Sequence, residues 1–411
     1  MSSLAKGAPA GERFDAAADR SRSGLDIPAL NALALRSIVS LFEEKERLFS
    51  RRVTLTESGF HREGTSRKRT VIALLGLQRL AESGGAPPVD VASIQDVVLG
   101  DTSWVRTLGD LGLLTWFAAE CAPGRLEVLF RGWDLATALE RYADGRQACT
   151  RGLAWFLAGI AHARLTYPGA LPDLTDIAVD TYHLLKDNQG ECAIFGHVGL
   201  PGLFERPFSK RFGTFGDQIY AIYALTTFAR AFQIEEPLES ALGCANAVRA
   251  LQGEMGQWWF LYDKHACRVM NRYPVFSFQQ DGIAPAGLLA LEEATGQSFH
   301  DPIYKGLSWL AGANELGYDL RNLDRGLIWD SIAQQRRTAD YCEAALNFMN
   351  ISRVPKAGSL RIQYEARPDH FGWLLYAFGK FGLPKAATGA AADTAHEGRA
   401  HALHGNAGGT R

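Results

Sequence analysis

Three aspartates share one sequence context and could supply proton-transfer chemistry. Asp217, Asp281 and Asp340 each follow a long, aromatic-rich loop and open an apolar helical segment, at spacings of 64 and 59 residues. Carboxylates that share a site raise one another's pKa, which leaves one group as an acid and another as a base. Alternatively, each aspartate only caps its helix, because a carboxylate there accepts free backbone N–H groups. If the three meet, the pattern favours acid/base catalysis.

A histidine and a fourth carboxylate extend this set. His197 lies in a Phe-Gly-His segment of the first loop, and the ordinary pKa of imidazole suits general acid/base work near neutral pH. A structural histidine with one hydrogen bond is the alternative. Asp110 lies in the first turns of an earlier apolar helix. We predict Asp217 and Asp281 as the acid/base pair, with His197 or Asp340 assisting.

The long loops carry residue types that bind sugars and anions. Loops of this length within a compact domain are usually functional. Aromatic faces stack on sugar rings, and guanidinium groups hold carboxylates or phosphates through paired hydrogen bonds. Packing of the aromatic residues onto the core is the alternative. The predicted substrate-binding residues are Arg206, Arg211, Arg272, Trp258, Trp259, Tyr273 and, on the helix after the first loop, Tyr220. The basic run 67–69 begins another helix and could also hold an anionic group.

No metal or cofactor is predicted. Asp340, Tyr341, Cys342 and His370 are residue types found in zinc sites, but the predicted fold does not bring them together. The sequence contains no glycine-rich nucleotide-binding motif, no HExxH and no GxSxG. These findings argue against a nucleotide-dependent enzyme and against a serine hydrolase.

The segments that must position these residues are predicted to be helices. Helices that are apolar all round alternate with amphipathic ones, which indicates an inner ring covered by an outer ring. In the second half a unit repeats: helix, glycine stop, long loop, aspartate, apolar helix. We predict an all-α (α/α)6 toroid with the long loops at one mouth, no extended series of strands, and short strands in the loops near 258–262 and 361–364. The hairpins are 27–49 with 66–80, 89–99 with 104–120, 135–142 with 153–165, 174–187 with 217–233, 237–252 with 281–294, and 302–316 with 340–351, and a helix at 371–378 closes the ring.

One segment resembles a known superfamily. Gln252 to Trp258 fits the Q-x3-G-x-W repeat of terpenoid cyclases, whose toroid is shared with protein prenyltransferase β-subunits. Asp281-Gly282 is similar to the prenyltransferase zinc-site helix, but Ile283 stands where that family has a zinc-binding cysteine. The cyclase motifs DxDD and DDxxD are absent. The resemblance implies the toroid fold over 174–380 rather than either chemistry, and six-hairpin glycosidases, polysaccharide lyases and uronyl epimerases have similar toroids.

Composition limits the classes of function. The 411 residues carry a net charge of −2, which excludes binding to nucleic acid through bulk charge. No apolar stretch is long enough to span a membrane. Six scattered cysteines without a CxxC pair are interpreted as reduced thiols of a cytoplasmic protein. Residues 1–25 and 385–411 are predicted to be disordered tails around a single domain, 26–384.

These observations favour a cytoplasmic carbohydrate-active enzyme. It would act on an anionic glycan or glycan precursor, as a hydrolase, lyase or epimerase, by carboxylate acid/base catalysis in the toroid funnel. A terpenoid cyclase or prenyltransferase-like enzyme is the first alternative. A non-catalytic scaffold or binding subunit is the second. The expected partner is a small-molecule or oligosaccharide substrate, with no nucleic acid and no membrane span.

Overall fold

The computed structural model describes residues 25–143, 149–168, 174–197, 210–335 and 355–384. The predicted tails lie outside these ranges except for Leu25, which is buried. Thirteen α-helices occur in the described part of the chain: α1 Ile27–Ser40, α2 Arg67–Glu82, α3 Val91–Gly100, α4 Leu108–Cys121, α5 Leu126–Gly132, α6 Leu135–Ala143, α7 Thr150–Thr166, α8 Thr175–Lys186, α9 Phe215–Phe232, α10 Glu236–Ala250, α11 Ala284–Thr295, α12 His300–Leu310 and α13 Pro368–Phe378.

Six of these helices form a closed inner ring. Helices α2, α4, α7, α9, α11 and α13 each pack on the next, and α13 packs back on α2. Their C-terminal halves line one common cavity, so their N-terminal ends lie together at the opposite mouth. The other helices cover this ring, which confirms the predicted (α/α)6 toroid. The sixth inner helix is α13, whereas the predicted inner helix at 340–351 lies outside the described residues.

Glycines allow the inner helices to approach closely. A Cβ at Gly112 of α4 would lie 2.3 Å from the Cα of Phe156 in α7, and one at Gly159 would lie 2.3 Å from the carbonyl oxygen of Gly112. The same arrangement joins α2 to α13, where a Cβ at Gly76 would meet the carbonyl oxygen of Gly372. Side chains larger than hydrogen would therefore force the backbones of these helices apart.

Four small sheets occur in the described segments between helices. The prediction of one helix over 27–49 is wrong, because α1 ends at Ser40 and a hairpin follows, whose turn has Gly59 at a φ of 111°. Glycine adopts this conformation without steric cost. The strands expected near 258–262 and 361–364 are found as β5 and β11. The strands are β1 Phe42–Glu43, β2 Leu48–Thr56, β3 Gly59–Thr65, β4 Phe212–Thr214, β5 Leu261–Asp263, β6 Arg268–Asn271, β7 Val275–Phe276, β8 Arg321–Asn322, β9 Leu327–Ile328, β10 Ser331–Gln334, β11 Leu360–Gln363 and β12 Glu365–Ala366. The sheet orders are β1-β2-β12 with β3 on β2, β11-β10-β7, β4-β5-β6 and β8-β9.

The segment that resembles the cyclase repeat has a packing role. The side-chain amide of Gln252 donates to the carbonyl oxygens of Gly256 at 3.0 Å and Pro302 at 2.9 Å. Trp258 is fully buried and stacks on Phe215, with ring centroids 5.0 Å apart. These contacts tie the end of α10 to the start of α12 and to the first turn of α9.

Two of the six cysteines form a disulfide. Cys192, in the loop after α8, is bonded to Cys267 in the β5–β6 hairpin. The prediction of reduced thiols is therefore wrong for this pair, because the hairpin places two residues that are 75 positions apart in the chain at a Cα–Cα distance of 5.9 Å. Cys121 and Cys244 are not in a disulfide. None of the described helices combines the length and apolarity needed to cross a bilayer.

Candidate functional site

Asp217 both caps a helix and holds a histidine. It lies in the first turn of α9, where its Oδ2 accepts hydrogen bonds from the backbone N–H and the hydroxyl of Thr214 at 2.8 and 2.7 Å. Its Oδ1 lies 2.8 Å from Nδ1 of His197. The backbone N–H of His197 donates to the carbonyl oxygen of Phe212, so β4 fixes the loop beside the helix. The capping role and the proposed site role therefore coexist in one side chain.

The charge state of Asp217 fixes the orientation of the imidazole. The side chain is 1% exposed. This burial raises the pKa of Asp217, but the hydrogen bond and charge of His197, with Arg151 and Thr214, outweigh it and hold that pKa below its usual value. An ionised carboxylate only accepts hydrogen bonds, so Nδ1 of His197 carries a proton. Nε2 is then the atom that can exchange protons, and no hydrogen bond to it occurs among the described residues.

A second imidazole–carboxylate pair lies at the next inner helix. Asp281 belongs to the π-helical turn Gln279–Ile283 that leads into α11, and His370 lies in the first turn of α13. Nε2 of His370 is 2.8 and 3.0 Å from the two carboxylate oxygens. Burial raises the pKa of Asp281 and the charge of His370 opposes this shift. Such π-helical turns are frequent at functional sites.

A buried ion pair flanks the second dyad. The guanidinium of Arg367 contacts the carboxylate of Asp330, and it lies 5.2 Å from the ring centroid of Phe278. Burial raises the pKa of Asp330, while the charges of Arg367 and His370 lower it. Asp369 pairs with Arg69 of α2 at 3.2 Å. The first turn of α13 is thus surrounded by fixed charges of both signs.

Cations gather over a tryptophan on the other side of the mouth. Nζ of Lys68 is 2.5 Å from Oδ1 of Asp110 and 5.0 Å from the ring centroid of Trp155. The guanidinium of Arg151 lies 5.8 Å from the same ring. Arg151 is exposed, and it forms no ion pair within the described part of the chain. Trp155 in turn packs edge-to-face on Tyr220, with centroids 5.3 Å apart. This patch therefore combines a largely buried tryptophan ring with the Lys68–Asp110 ion pair and the exposed guanidinium of Arg151.

The other predicted substrate-binding residues are engaged in packing. Arg211 forms a two-pronged pair with the buried carboxylate of Asp263 at 3.0 and 2.7 Å, and the hydroxyl of Tyr273 donates to Glu315 at 2.7 Å. Trp258 is fully buried. These contacts favour structural roles for the three predicted residues. Trp259 packs edge-to-face on Tyr273, and Arg272 lies 5.8 Å from the Trp259 ring.

Two of the predicted site residues cannot be placed. Asp340 and Arg206 lie outside the described residues, as do Tyr341 and Cys342 of the predicted zinc-type set. His370 of that set pairs with Asp281 instead. Within the ranges that the structure describes, no cluster of three or more His, Cys, Asp or Glu side chains is arranged to hold a metal ion.

Several residues of the mouth were missed by the sequence analysis. Arg151, Trp155, Asp330 and Arg367 were not candidates, and His370 was considered only as a zinc ligand. Position near the start of an inner helix is the sequence signal that could have identified two of them. Arg151 is the second residue of α7, and His370 is the third residue of α13. The predictions from sequence used this position mainly for aspartates.

Comparisons with known proteins identify similar folds. No protein-family model matches the chain, and no curated protein matches its sequence. A sugar epimerase from a ruminal bacterium matches with a TM-score of 0.56 at 10% identity, over 88% of this chain and 100% of that one. A possible member of the GH105 family from Salmonella enterica matches at 0.53 and 12% identity, over 91% and 96%. An unsaturated glucuronyl hydrolase from Streptococcus agalactiae matches at 0.53 and 13% identity, over 92% and 97%. At these identities the shared property is the α/α toroid.

Proposed function

We propose that this protein is a carbohydrate-active enzyme that transfers protons to and from an anionic sugar. One observation carries the proposal: two imidazole–carboxylate pairs, His197 with Asp217 and His370 with Asp281, stand at the N-terminal mouth of the ring. Asp217 lies in the first turn of α9, and Asp281 lies in the π-helical turn before α11. These two helices pack against each other. The substrate classes named for the similar toroids agree with this chemistry.

The imidazoles, rather than the carboxylates, are assigned the proton transfers. Asp217 and Asp281 are 1% and 0% exposed, and the carboxylate of each is hydrogen-bonded to its histidine. His197 and His370 are 7% and 2% exposed, and each ring keeps a second nitrogen outside that contact, Nε2 in His197 and Nδ1 in His370. A general acid or base must come within hydrogen-bond reach of the proton that it moves. The carboxylates therefore act as positioning residues that set the tautomer and orientation of the rings. This differs from the predicted role of the aspartates as the acid/base pair itself.

Two independently held imidazoles favour chemistry at a carbon that carries an acidic proton. One ring abstracts a proton next to a carbonyl or carboxylate group, and the other returns a proton from another direction, as in epimerisation, or protonates a leaving group, as in elimination. Hydrolysis through two directly acting carboxyl groups fits less well, since both aspartates are enclosed. A sugar epimerase is among the similar structures.

The patch of Lys68 and Arg151 over Trp155 supports an anionic substrate. Sugar rings stack on aromatic faces, and a guanidinium binds a carboxylate through two parallel hydrogen bonds. Arg151 is exposed beside this ring and forms no ion pair among the described residues, and its charge acts on Asp217 only from a distance. We assign it to the substrate carboxylate.

Two of the alternatives receive less support. The Gln252–Trp258 segment, which suggested a cyclase, is accounted for by packing. A scaffold would not require two buried imidazole–carboxylate pairs at one mouth.

The Cys192–Cys267 disulfide supports an oxidising compartment in place of the predicted cytoplasmic location, because the cytoplasm keeps thiols reduced.

Solvent exchange tests the proposal directly. The protein is incubated in deuterated water with hexuronates, an unsaturated uronyl disaccharide, neutral disaccharides and a prenyl diphosphate, and proton NMR follows each sugar C–H signal. We expect deuterium at a carbon next to the carboxylate or carbonyl group of an acidic sugar. His197→Gln and His370→Gln should each lower that rate by about 10²- to 10⁴-fold. His183→Gln, at an exposed position on the outer helix α8, is the matched control.

Three outcomes would contradict the proposal. Release of reducing ends without deuterium incorporation would indicate hydrolysis. Turnover of the prenyl diphosphate alone would favour the cyclase alternative. Exchange that survives in both histidine variants would remove the two dyads from the chemistry.

A further inference from the structure

A cavity lies at the end of the ring opposite the two dyads. Its volume is about 590 Å³, and residues from the C-terminal halves of all six inner helices line it. This volume falls within the range of small-molecule sites. Small side chains such as Ala119, Ala286, Ala290 and Ala377 form part of its wall. The space is therefore kept open where larger apolar residues would have filled it.

A dense polar cluster forms the floor of this cavity. One carboxylate oxygen, Oε1 of Glu120, accepts hydrogen bonds from Arg79 at 2.8 Å, Tyr376 at 2.8 Å and Trp116 at 3.1 Å. Nδ1 of His162 lies 3.0 Å from the same oxygen. The other oxygen, Oε2, is buried and has no hydrogen-bond partner among the residues that the structure describes. These hydrogen bonds therefore converge on one oxygen of a residue that lines the cavity.

The floor extends through two hydroxyl groups. The hydroxyl of Tyr223 lies 2.9 Å from Nε2 of His162 and 2.6 Å from the hydroxyl of Tyr376. Burial raises the pKa of Glu120 and lowers that of His162, on which Arg79 and Arg230 act in the same direction. The cluster therefore presents groups that both donate and accept hydrogen bonds.

The charges around the cavity balance. Three cations, Arg79, Arg230 and Lys380, and three acidic residues, Glu82, Glu120 and Glu293, line it. Arg79 pairs with Glu82 and Glu120, and Lys380 pairs with Glu293. Arg230 is exposed and makes no ion pair within the described residues. An anion would meet the glutamates and a polyamine would meet the cations, whereas hydroxyl groups can bond to both.

We propose that this cavity is a second binding site, for a neutral polyhydroxylated molecule of monosaccharide or disaccharide size. Its hydroxyls accept hydrogen bonds from Arg230 and donate to the glutamates at the rim, and its C–H face lies on the alanines of the wall. The site is separate from the mouth of the dyads, so it does not depend on the function proposed for that mouth.

Binding of neutral sugars to the full-length chain tests this assignment. Isothermal titration calorimetry is run with D-glucose, D-mannose and cellobiose, and with inorganic phosphate and putrescine as the anionic and cationic arms. We expect one of the neutral sugars to bind. Arg230→Ala should weaken that binding by about tenfold, as the loss of a hydrogen bond to a charged group does. Ala290→Trp should abolish it by filling the cavity.

Matched variants separate the site from general effects. Arg249→Ala removes the same charge, and Ala250→Trp adds the same bulk, at exposed positions of the outer helix α10, and both should bind as the wild type does. The proposal is overturned if no neutral sugar binds up to its solubility limit, or if only phosphate or putrescine binds. It is also overturned if binding persists in Ala290→Trp, or if it is lost in Arg151→Ala while Arg230→Ala retains it, because the sugar would then occupy the other mouth.

Discussion

Nε2 of His370 lies 2.8 and 3.0 Å from the two carboxylate oxygens of Asp281, although 89 positions separate these residues in the chain. The contact joins the first turn of α13 to the π-helical turn before α11, and both side chains are almost fully buried. It therefore acts at two levels, in the packing of neighbouring inner helices and in the proposed chemistry. Asp217 forms the corresponding contact with His197. Burial and neighbouring charges together lower the pKa of Asp217 and raise the pKa of Asp281.

The two aspartates should give opposite dependences of stability on pH. The folded-state pKa of Asp217 lies below the reference value of 3.8, so its stabilising contribution is present above that pH and is lost as pH falls through the folded pKa. The folded-state pKa of Asp281 lies above 3.8, so its contribution is present below that pH and is lost as pH rises through the folded pKa. Urea unfolding of the wild type, Asp217→Asn and Asp281→Asn from about pH 3 to pH 8 measures both slopes.

The difference between wild type and variant should shrink towards acid for Asp217→Asn and towards neutral pH for Asp281→Asn. Asp180→Asn, at an exposed position on α8, should show neither trend. Slopes of the same sign for the two buried aspartates would contradict the assignment of their environments.

Arg151 should determine the affinity for acidic sugars. On the proposed function, Arg151→Ala raises KM for a hexuronate by about tenfold, because a charge-assisted pair with the carboxylate is lost, and changes kcat less. The effect should diminish at high salt, which screens an exposed charge. Steady-state kinetics at two ionic strengths measure it, with Arg249→Ala as the charge-matched control. An unchanged KM would remove Arg151 from the substrate site.

The close packing of α4 on α7 should require glycine at position 112. Gly112→Ala places a Cβ 2.3 Å from the Cα of Phe156, against backbone that cannot move aside alone. We expect a loss of about 3 kcal/mol in the free energy of unfolding. Gly124→Ala, where no heavy atom lies within 4 Å, should change it little. Chemical denaturation of both variants measures the two free energies of unfolding. Equal values for Gly112→Ala and Gly124→Ala would show that the inner ring can widen without loss of stability.

The Cys192–Cys267 disulfide should contribute substantially to stability. It closes a loop of 75 positions, for which chain entropy predicts about 4 kcal/mol. Cys192→Ser, Cys267→Ser and the double variant should lose the same free energy of unfolding, since each breaks the same bond. Reduced wild-type protein should match them. Losses that add in the double variant would indicate two separate thiols.

The ring was predictable from sequence because burial dictates composition along a helix. Helix α7 is buried from Leu153 to Ala163, and such a segment needs neighbours on every side. The His197–Asp217 pair was also within reach, since both residues flank one loop. The roles of the loop aromatics could not be predicted from sequence, because residue type does not tell whether a ring such as that of Trp258 faces the core or the cleft.

The His370–Asp281 pair was missed for a geometric reason. The predicted hairpins placed 340–351 at the sixth inner position, which left His370 on a helix that only closed the ring. The structure gives that position to α13, and His370 then belongs to its first turn at the mouth. An error in assigning one helix thus removed one member of the site, while the fold class stayed correct.

The contact between α2 and α13 has a consequence for folding during synthesis on the ribosome. Arg79 of α2 donates to the hydroxyl of Tyr376, a residue 297 positions later. A ribosome makes the chain from the N-terminus, so α2 leaves the exit tunnel long before its partner has been translated. Until then the apolar flank of α2 is uncovered, and a nascent chain with an open ring offers that flank to other chains or to a chaperone. Premature termination before α13 would leave every copy in this state.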